Sequence, residues 1–152
     1  IAEVPLCWVG PANGAVQWHA DGGEVMPLAS LEAPCLLRNI ATKTLDRAGI
    51  GWRISFVSPS LGGLWAATAA GLGLALRTPL GLPPKVRQMT PGEAGLPVLP
   101  TLDLVLHRAE AEASPATERL ASIMLQAVRQ TIETVPHSRI FQDAPDDDVV
   151  TA

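Results

Sequence analysis

The sequence has no tyrosine, only two phenylalanines and two cysteines in 152 residues, and its 11 basic residues are outnumbered by 15 acidic ones. Each shortage excludes a class of protein. Cys7 and Cys35 are too few for a disulfide framework, and neither has the Cys-x-x-Cys or Cys/His spacing of a metal site. The expectation is therefore a cytoplasmic chain with no metal and no cofactor. A formal charge of -4 argues against a surface that grips nucleic acid, because affinity for phosphates rests on clustered Lys and Arg. No basic stretch followed by an apolar run and a small-residue cleavage site opens these residues, so no secretion signal is expected within them; the sequence starts at Ile1, and what precedes it stays open.

Catalytic signatures are missing too. His19, His107 and His137 are scattered, and neither a Gly-x-Ser-x-Gly elbow nor a His-Glu-x-x-His pair occurs. Gly71-Leu72-Gly73 follows a helical pattern rather than a strand, which is the wrong side for a dinucleotide loop. His19, Asp21 and Cys35 can be imagined acting together, but nothing in the sequence brings them close. No catalytic residue and no enzymatic activity are expected.

What the chain has is apolar material, 47% of it, enough for one domain with a real core. The uncharged run 54–76 is long enough to cross a bilayer. It is interrupted by Ser58-Pro59-Ser60 and by Gly71-Leu72-Gly73, which divide it into strand, helix and strand, so no membrane span is expected.

Residues 27–78 repeat one pattern. A short apolar strand at 27–31 precedes a helix over 35–48, whose apolar positions are Leu37, Ile40, Ala41, Leu45 and Ala48. Gly49 suits the left-handed position after a helix end. Residues 52–57 alternate as a half-buried strand, and Ser58-Pro59 predicts an N-cap with proline in the first turn. The second helix then starts at Pro59, carries Leu61, Leu64, Trp65 and Thr68 on one side, and stops at Ala70-Gly71. A third strand follows at 73–78. Strands alternating with helices in this way predict a βαβαβ unit with a parallel sheet.

Outside that unit, 4–9 and 102–107 read as strands at its two ends, suggesting two lobes joined by crossing strands. Pro79, Pro83, Pro84, Pro91, Pro97 and Pro100 make 79–100 a connecting region. Ser114-Pro115 caps a long helix whose apolar face is Leu120, Ile123, Met124, Ala127, Val128 and Thr131. Pro136, Pro145 and Asp146-Asp147-Asp148 predict a mobile acidic tail over 134–152.

The ordered combination of Ala48-Gly49-Ile50-Gly51-Trp52-Arg53, Ser58-Pro59-Ser60-Leu61 and Ala69-Ala70-Gly71-Leu72-Gly73-Leu74, running through Arg77-Thr78-Pro79, resembles the effector-binding domain of LysR-type transcriptional regulators. Pro5-Leu6-Cys7-Trp8-Val9-Gly10, Leu96-Pro97-Val98-Leu99-Pro100 and the Ser114-Pro115 helix extend the resemblance over about residues 4–130. It implies an α/β fold similar to type 2 periplasmic binding proteins, with two sub-domains, parallel-dominated sheets and crossover strands. On that reading 1–9 is a crossover strand from the first sub-domain. Residues 10–78 form the second sub-domain and return strand, 79–133 the returning half of the first, and the helix-turn-helix lies outside these residues. The implied partners are a small-molecule effector, further copies of the chain in a dimer or tetramer, and DNA only through the helix-turn-helix.

In open parallel sheets ligands sit beyond the carboxyl ends of the strands, at helix N-termini. Pro34, Cys35, Arg38, Ser58, Ser60, Leu61 and Thr78 are the resulting effector candidates, and a small, possibly anionic metabolite is favoured. Three have a plainer reading: Ser58 as an N-cap, Cys35 as a buried thiol, Arg38 on the solvent face beside Glu32 or Asp46. Trp8, Trp18, Trp52 and Trp65 are expected in the core or at interfaces. The resemblance implies a dimer surface on strand 52–57 and the next helix, with Arg53, Ser55, Leu64 and Trp65 as candidates. Two alternatives stand beside effector sensing: a transport-type solute-binding lobe, and a dimerisation module with no small ligand.

Overall fold

The computed structural model describes residues 1–14, 17–107, 109 and 114–134. The chain divides into two compact units, Ile1–Ala111 and Glu112–Ala152. The first contains strands β1 (Ala2–Pro5), β2 (Cys7–Pro11), β3 (Met26–Leu31), β4 (Trp52–Ser58), β5 (Ala75–Arg77), β6 (Val86–Gln88) and β7 (Thr101–Leu104), with helices α1 (Leu36–Arg47) and α2 (Leu61–Ala69). The second contains α3 (Pro115–Thr134). The expected acidic tail lies beyond the described residues except for Thr134 at the end of α3.

The βα repeat is present. β3 and β4 run parallel, from Met26 opposite Trp52 to Leu31 opposite Ser58, with α1 as the crossover between them. Cys35 and Ala48 flank α1 in the cap positions, and Gly49 follows with φ +70°, the conformation in which its missing side chain avoids strain. Ala41 and Leu45 are buried, and Leu37 and Ile40 pack on the same cluster as Met26 and Leu28. Ala48, expected on that face, is exposed. The register slips between Leu28 and Ala29: Leu28 faces Ile54 and Ala29 faces Phe56, leaving Ser55 as the extra residue of a bulge.

Two expectations are corrected. α2 starts at Leu61, not Pro59, with Ser60 as its N-cap accepting from the Gly63 N–H at 3.2 Å. Ser58 lies at the end of β4, and its hydroxyl donates to the Ser60 carbonyl at 2.9 Å, closing a turn before the helix. The Ser-x-Ser spacing offers two rival caps, and Ser58 stays in the extended conformation of β4. The third strand is also different. Only Leu74 joins β3 in parallel, its N–H donating to Pro27 at 2.9 Å and its carbonyl accepting from Ala29 at 2.8 Å. From Ala75 the chain leaves to pair antiparallel with β2, with Cys7 opposite Arg77 and Val9 opposite Ala75. A period-two pattern says nothing of strand direction. β2, buried from Cys7 to Gly10, is the central strand of the order β5-β2-β6.

The connecting region 79–100 thus also supplies a strand, β6. Just beyond it Glu93 accepts from the Arg87 guanidinium at 3.0 Å and from the Thr90 N–H at 2.9 Å. These bonds, Arg87 first, hold the Glu93 carboxyl down at about 2. A folded-state value below the unfolded one contributes stability that is complete above about pH 4.5 and is lost as pH falls towards 2. Glu93→Gln is expected to flatten the acid limb of the stability profile in that window and to leave its slope unchanged above pH 6, as read by urea unfolding at stepped pH.

The strands expected at the two ends of the repeat are hydrogen-bonded neighbours: β1 pairs antiparallel with β7, from Ala2 opposite Leu104 to Pro5 opposite Thr101. They are shorter than the sequence suggested. Leu6 separates β1 from β2, and β7 ends at Leu104. In the second unit, the Ser114 hydroxyl accepts from the Thr117 N–H at 3.2 Å, as a cap should. The least exposed positions of α3 are Ala121, Leu125, Val128 and Ile132, whereas Leu120, Ile123 and Met124 of the predicted face are exposed. Apolar residues cover more than half of this helix's circumference, so periodicity leaves its rotation open.

Candidate functional site

Where β3 ends and α1 begins, Ser30, Leu31, Cys35, Arg38 and Arg77 line one small cavity with Leu64 at its base. Ser30 is 6% exposed and closes the end of β3. Cys35 occupies the N-cap of α1 without a side-chain cap bond, so the first N–H groups of the helix open toward this end of the sheet. Arg77 is the last residue of β5. Its guanidinium lies over the Trp65 ring, 5.9 Å from the centroid, and is half-buried. Burial lowers its proton affinity, partly offset by the Cys35 thiol nearby. Two arginines and no acidic residue line the cavity. Among the described residues, no acidic side chain forms an ion pair with Arg38 or Arg77. The space left is about 10 Å³, close to one water molecule.

Of the seven effector candidates, the structure brings Cys35 and Arg38 to this cavity. Pro34 and Leu61 are exposed and do not line it, Thr78 follows Arg77, and Ser58 and Ser60 are engaged in the turn that opens α2. The solvent-face partners considered for Arg38 are not used: Asp46 accepts instead from the Trp52 indole at 2.8 Å. Sequence reading missed Ser30 and Arg77. The signal for Arg77 was its place in the strand 73–78; taking that strand one residue too far moved attention to Thr78.

The dimer candidates separate. Arg53 is exposed on β4, whose outer edge has no partner strand among the described residues. Trp65 is partly exposed, Leu64 is 1% exposed inside the first unit, and the Ser55 hydroxyl is buried with no hydrogen-bond partner among the described residues. Trp8 and Trp18 are core residues anchored through their indole N–H groups to the carbonyls of Pro97 and Glu24.

Cys7 and Cys35 make contrasting thiols. Burial in the second strand pushes Cys7 up to about 12, whereas Cys35 is partly exposed. Ellman's reagent is expected to label Cys35 alone in the native protein and both thiols in denaturant; Cys35→Ser abolishes the native reaction.

No family model matches the chain. It is 35% identical over 96 residues to the HTH-type transcriptional regulator PecT of Dickeya dadantii, a match covering 63% of this chain and 29% of PecT. Among solved structures, the regulatory domain of HypT from Salmonella typhimurium superposes with a TM-score of 0.59 at 19% identity, over 83% of this chain and 63% of that one. HinK, a LysR family transcriptional regulator from Pseudomonas aeruginosa, gives 0.59 at 15% identity, over 83% of this chain and 45% of HinK. The fold is that of a LysR-type regulatory domain. The Synechocystis CcmR regulatory domain, solved in complex with 2-PG, gives a TM-score of 0.51 at 14% identity, over 82% of this chain and 63% of that one. The chain therefore spans less than two thirds of the length of these relatives. The elements that carry this α/β fold are parallel β3 and β4, the α1 crossover, and the paired strands β1 and β7. Among the described residues no helix is long and apolar enough to cross a membrane, and the uncharged run 54–76 is divided between β4, α2 and β5.

Proposed function

We propose that this chain is the effector-sensing part of a LysR-type transcriptional regulator, and that its effector is a small anionic metabolite bound where β3 and β5 end. The observation that carries this reading is the acid-free cavity shared by Arg38, Arg77, Cys35 and Ser30 at the start of α1. Guanidinium groups match carboxylates and phosphates in paired hydrogen bonds, and the α1 N-terminus adds N–H groups and a positive dipole end. The complex of the CcmR regulatory domain with 2-PG lends support from a protein of the same fold.

With about 10 Å³ available, a metabolite enters only if Arg77 leaves the Trp65 ring or Arg38 swings outward. Binding then favours one arrangement over another by its differential affinity for the two. Residues 1–9 serve as a crossover strand, 10–78 as one sub-domain with its return strand, and 79–133 as part of the other. Copies of the chain associate through α2 and the adjoining part of the β4 edge, with Trp65 at the surface. DNA binding belongs to a helix-turn-helix outside these residues, and the regulator works in the cytoplasm.

A thermal-shift screen of carboxylates and phosphate monoesters tests the reading. A true effector at a hundredfold excess over its Kd stabilises by about 2.7 kcal/mol. A screen in which no anion raises the melting temperature, while the chain still self-associates, favours a dimerisation module without a ligand.

A further inference from the structure

At the opposite end of the same strands lies a larger crevice, of about 480 Å³, that the effector reading does not use. Its walls include Trp18 and the chain after β2, the residues that enter β3 (Glu24, Val25), the second residue of β4 (Arg53), the end of α2 and the segment Gly73-Leu74 that leads into β5. Three features give it a chemistry. Glu24 and Arg53 both line it, yet among the described residues neither forms an ion pair or a side-chain hydrogen bond, with the other or with anything else. Ala69, Ala70 and Gly71 bring the C-terminus of α2 to the wall, where backbone carbonyls and the negative dipole end favour a cation. Val25 and the two alanines supply apolar surface in the same crevice. The volume falls within the range of small-molecule sites.

Opposite charges that share a crevice without pairing suit a ligand carrying both signs. We infer that this crevice is a second small-molecule site, for a zwitterion with an apolar body, the simplest being a free α-amino acid such as valine or leucine. The ammonium group sits against the Glu24 carboxylate and the α2 carbonyls. The carboxylate pairs with the Arg53 guanidinium, and the side chain covers Val25 and the α2 alanines. The crevice lies at the N-terminal ends of the strands and the effector cavity at their C-terminal ends, so the two share no lining side chain.

The test is a titration of the ¹⁵N-labelled chain with L-leucine and L-valine, alongside 4-methylpentanoate and 3-methylbutylamine, which keep the apolar body and each lack one charge. Saturable amide shifts at Gly71, Gly73 and Arg53 are expected with either amino acid, and at least a tenfold weaker response with each singly charged analogue. Glu24→Gln should bring the amino acid down to the level of the carboxylate analogue, and Arg53→Gln down to that of the amine. Both positions are exposed, so the variants fold. Absence of saturable shifts with both amino acids at tens of millimolar, or equal responses to all ligands, overturns the proposal.

Discussion

Replacing Gly73 with alanine is expected to cost about 3 kcal/mol or more of stability, a large loss for one methyl group. A Cβ at that position would lie 2.5 Å from the Ser55 hydroxyl, 2.8 Å from the Ala29 backbone nitrogen and 3.1 Å from the Leu28 carbonyl carbon. A side chain can turn away; the backbone of β3 cannot. The hydrogen bonds of Leu74 with Pro27 and Ala29 hold this segment against β3, so relief of the clash requires giving them up. The result is a strand detached from the sheet and a reshaped crevice on the side of Arg53. Gly62, near the start of α2, is the control: nothing lies within 4 Å of its added Cβ, and alanine there should leave stability unchanged or raise it by up to about 1 kcal/mol through helix propensity. Urea unfolding of the two variants measures the contrast. Equal stabilities would contradict the close approach of the 73–74 segment to β3.

Leu45→Ala is the second large effect, about 3 kcal/mol within the range for buried leucines. Leu45 is 0% exposed and packs α1 onto Met26 and Leu28, themselves 0% and 1% exposed. Truncation removes buried apolar area and leaves a cavity on a rigid sheet floor that cannot collapse to fill it. Leu36, in the first turn of the same helix and 60% exposed, should change stability by no more than about 0.5 kcal/mol when replaced by alanine. The difference between the two leucines, read from denaturation midpoints, checks which face of α1 is inward.

How far the sequence reached into this structure depended on what kind of information each feature carries. α1 was found almost to the residue because two local signals agree: helical spacing of Leu37, Ala41 and Leu45, and Gly49 after the end. α2 began two residues late because Ser58 and Ser60 both offer a capping hydroxyl, and the choice is made by the length of β4. The departure of 75–77 from the parallel sheet was invisible, since it is decided by β2, some seventy residues earlier, which needs partners on both edges. Strand β6 was hidden among prolines for the same reason: only three residues pair, and their partner is distant. For the candidate site, positional logic pointed to the end of the sheet where Cys35 and Arg38 line a cavity. It missed Arg77, whose role depends on where β5 ends and on Trp65 one helix away. The crevice at the opposite end was not anticipated, because it is assembled from four separate segments.

The central claim is that an anion is recognised where β3 and β5 end, by guanidinium groups that include Arg77. Its most direct test is isothermal titration of the strongest stabilising carboxylate or phosphate monoester into the wild-type chain, Arg77→Gln and Arg47→Gln. Arg47 is exposed at the far end of α1, away from the cavity. Loss of one charge-assisted contact predicts at least tenfold weaker binding to Arg77→Gln, with Arg47→Gln binding as the wild type does. Equal affinity for all three proteins would contradict the account.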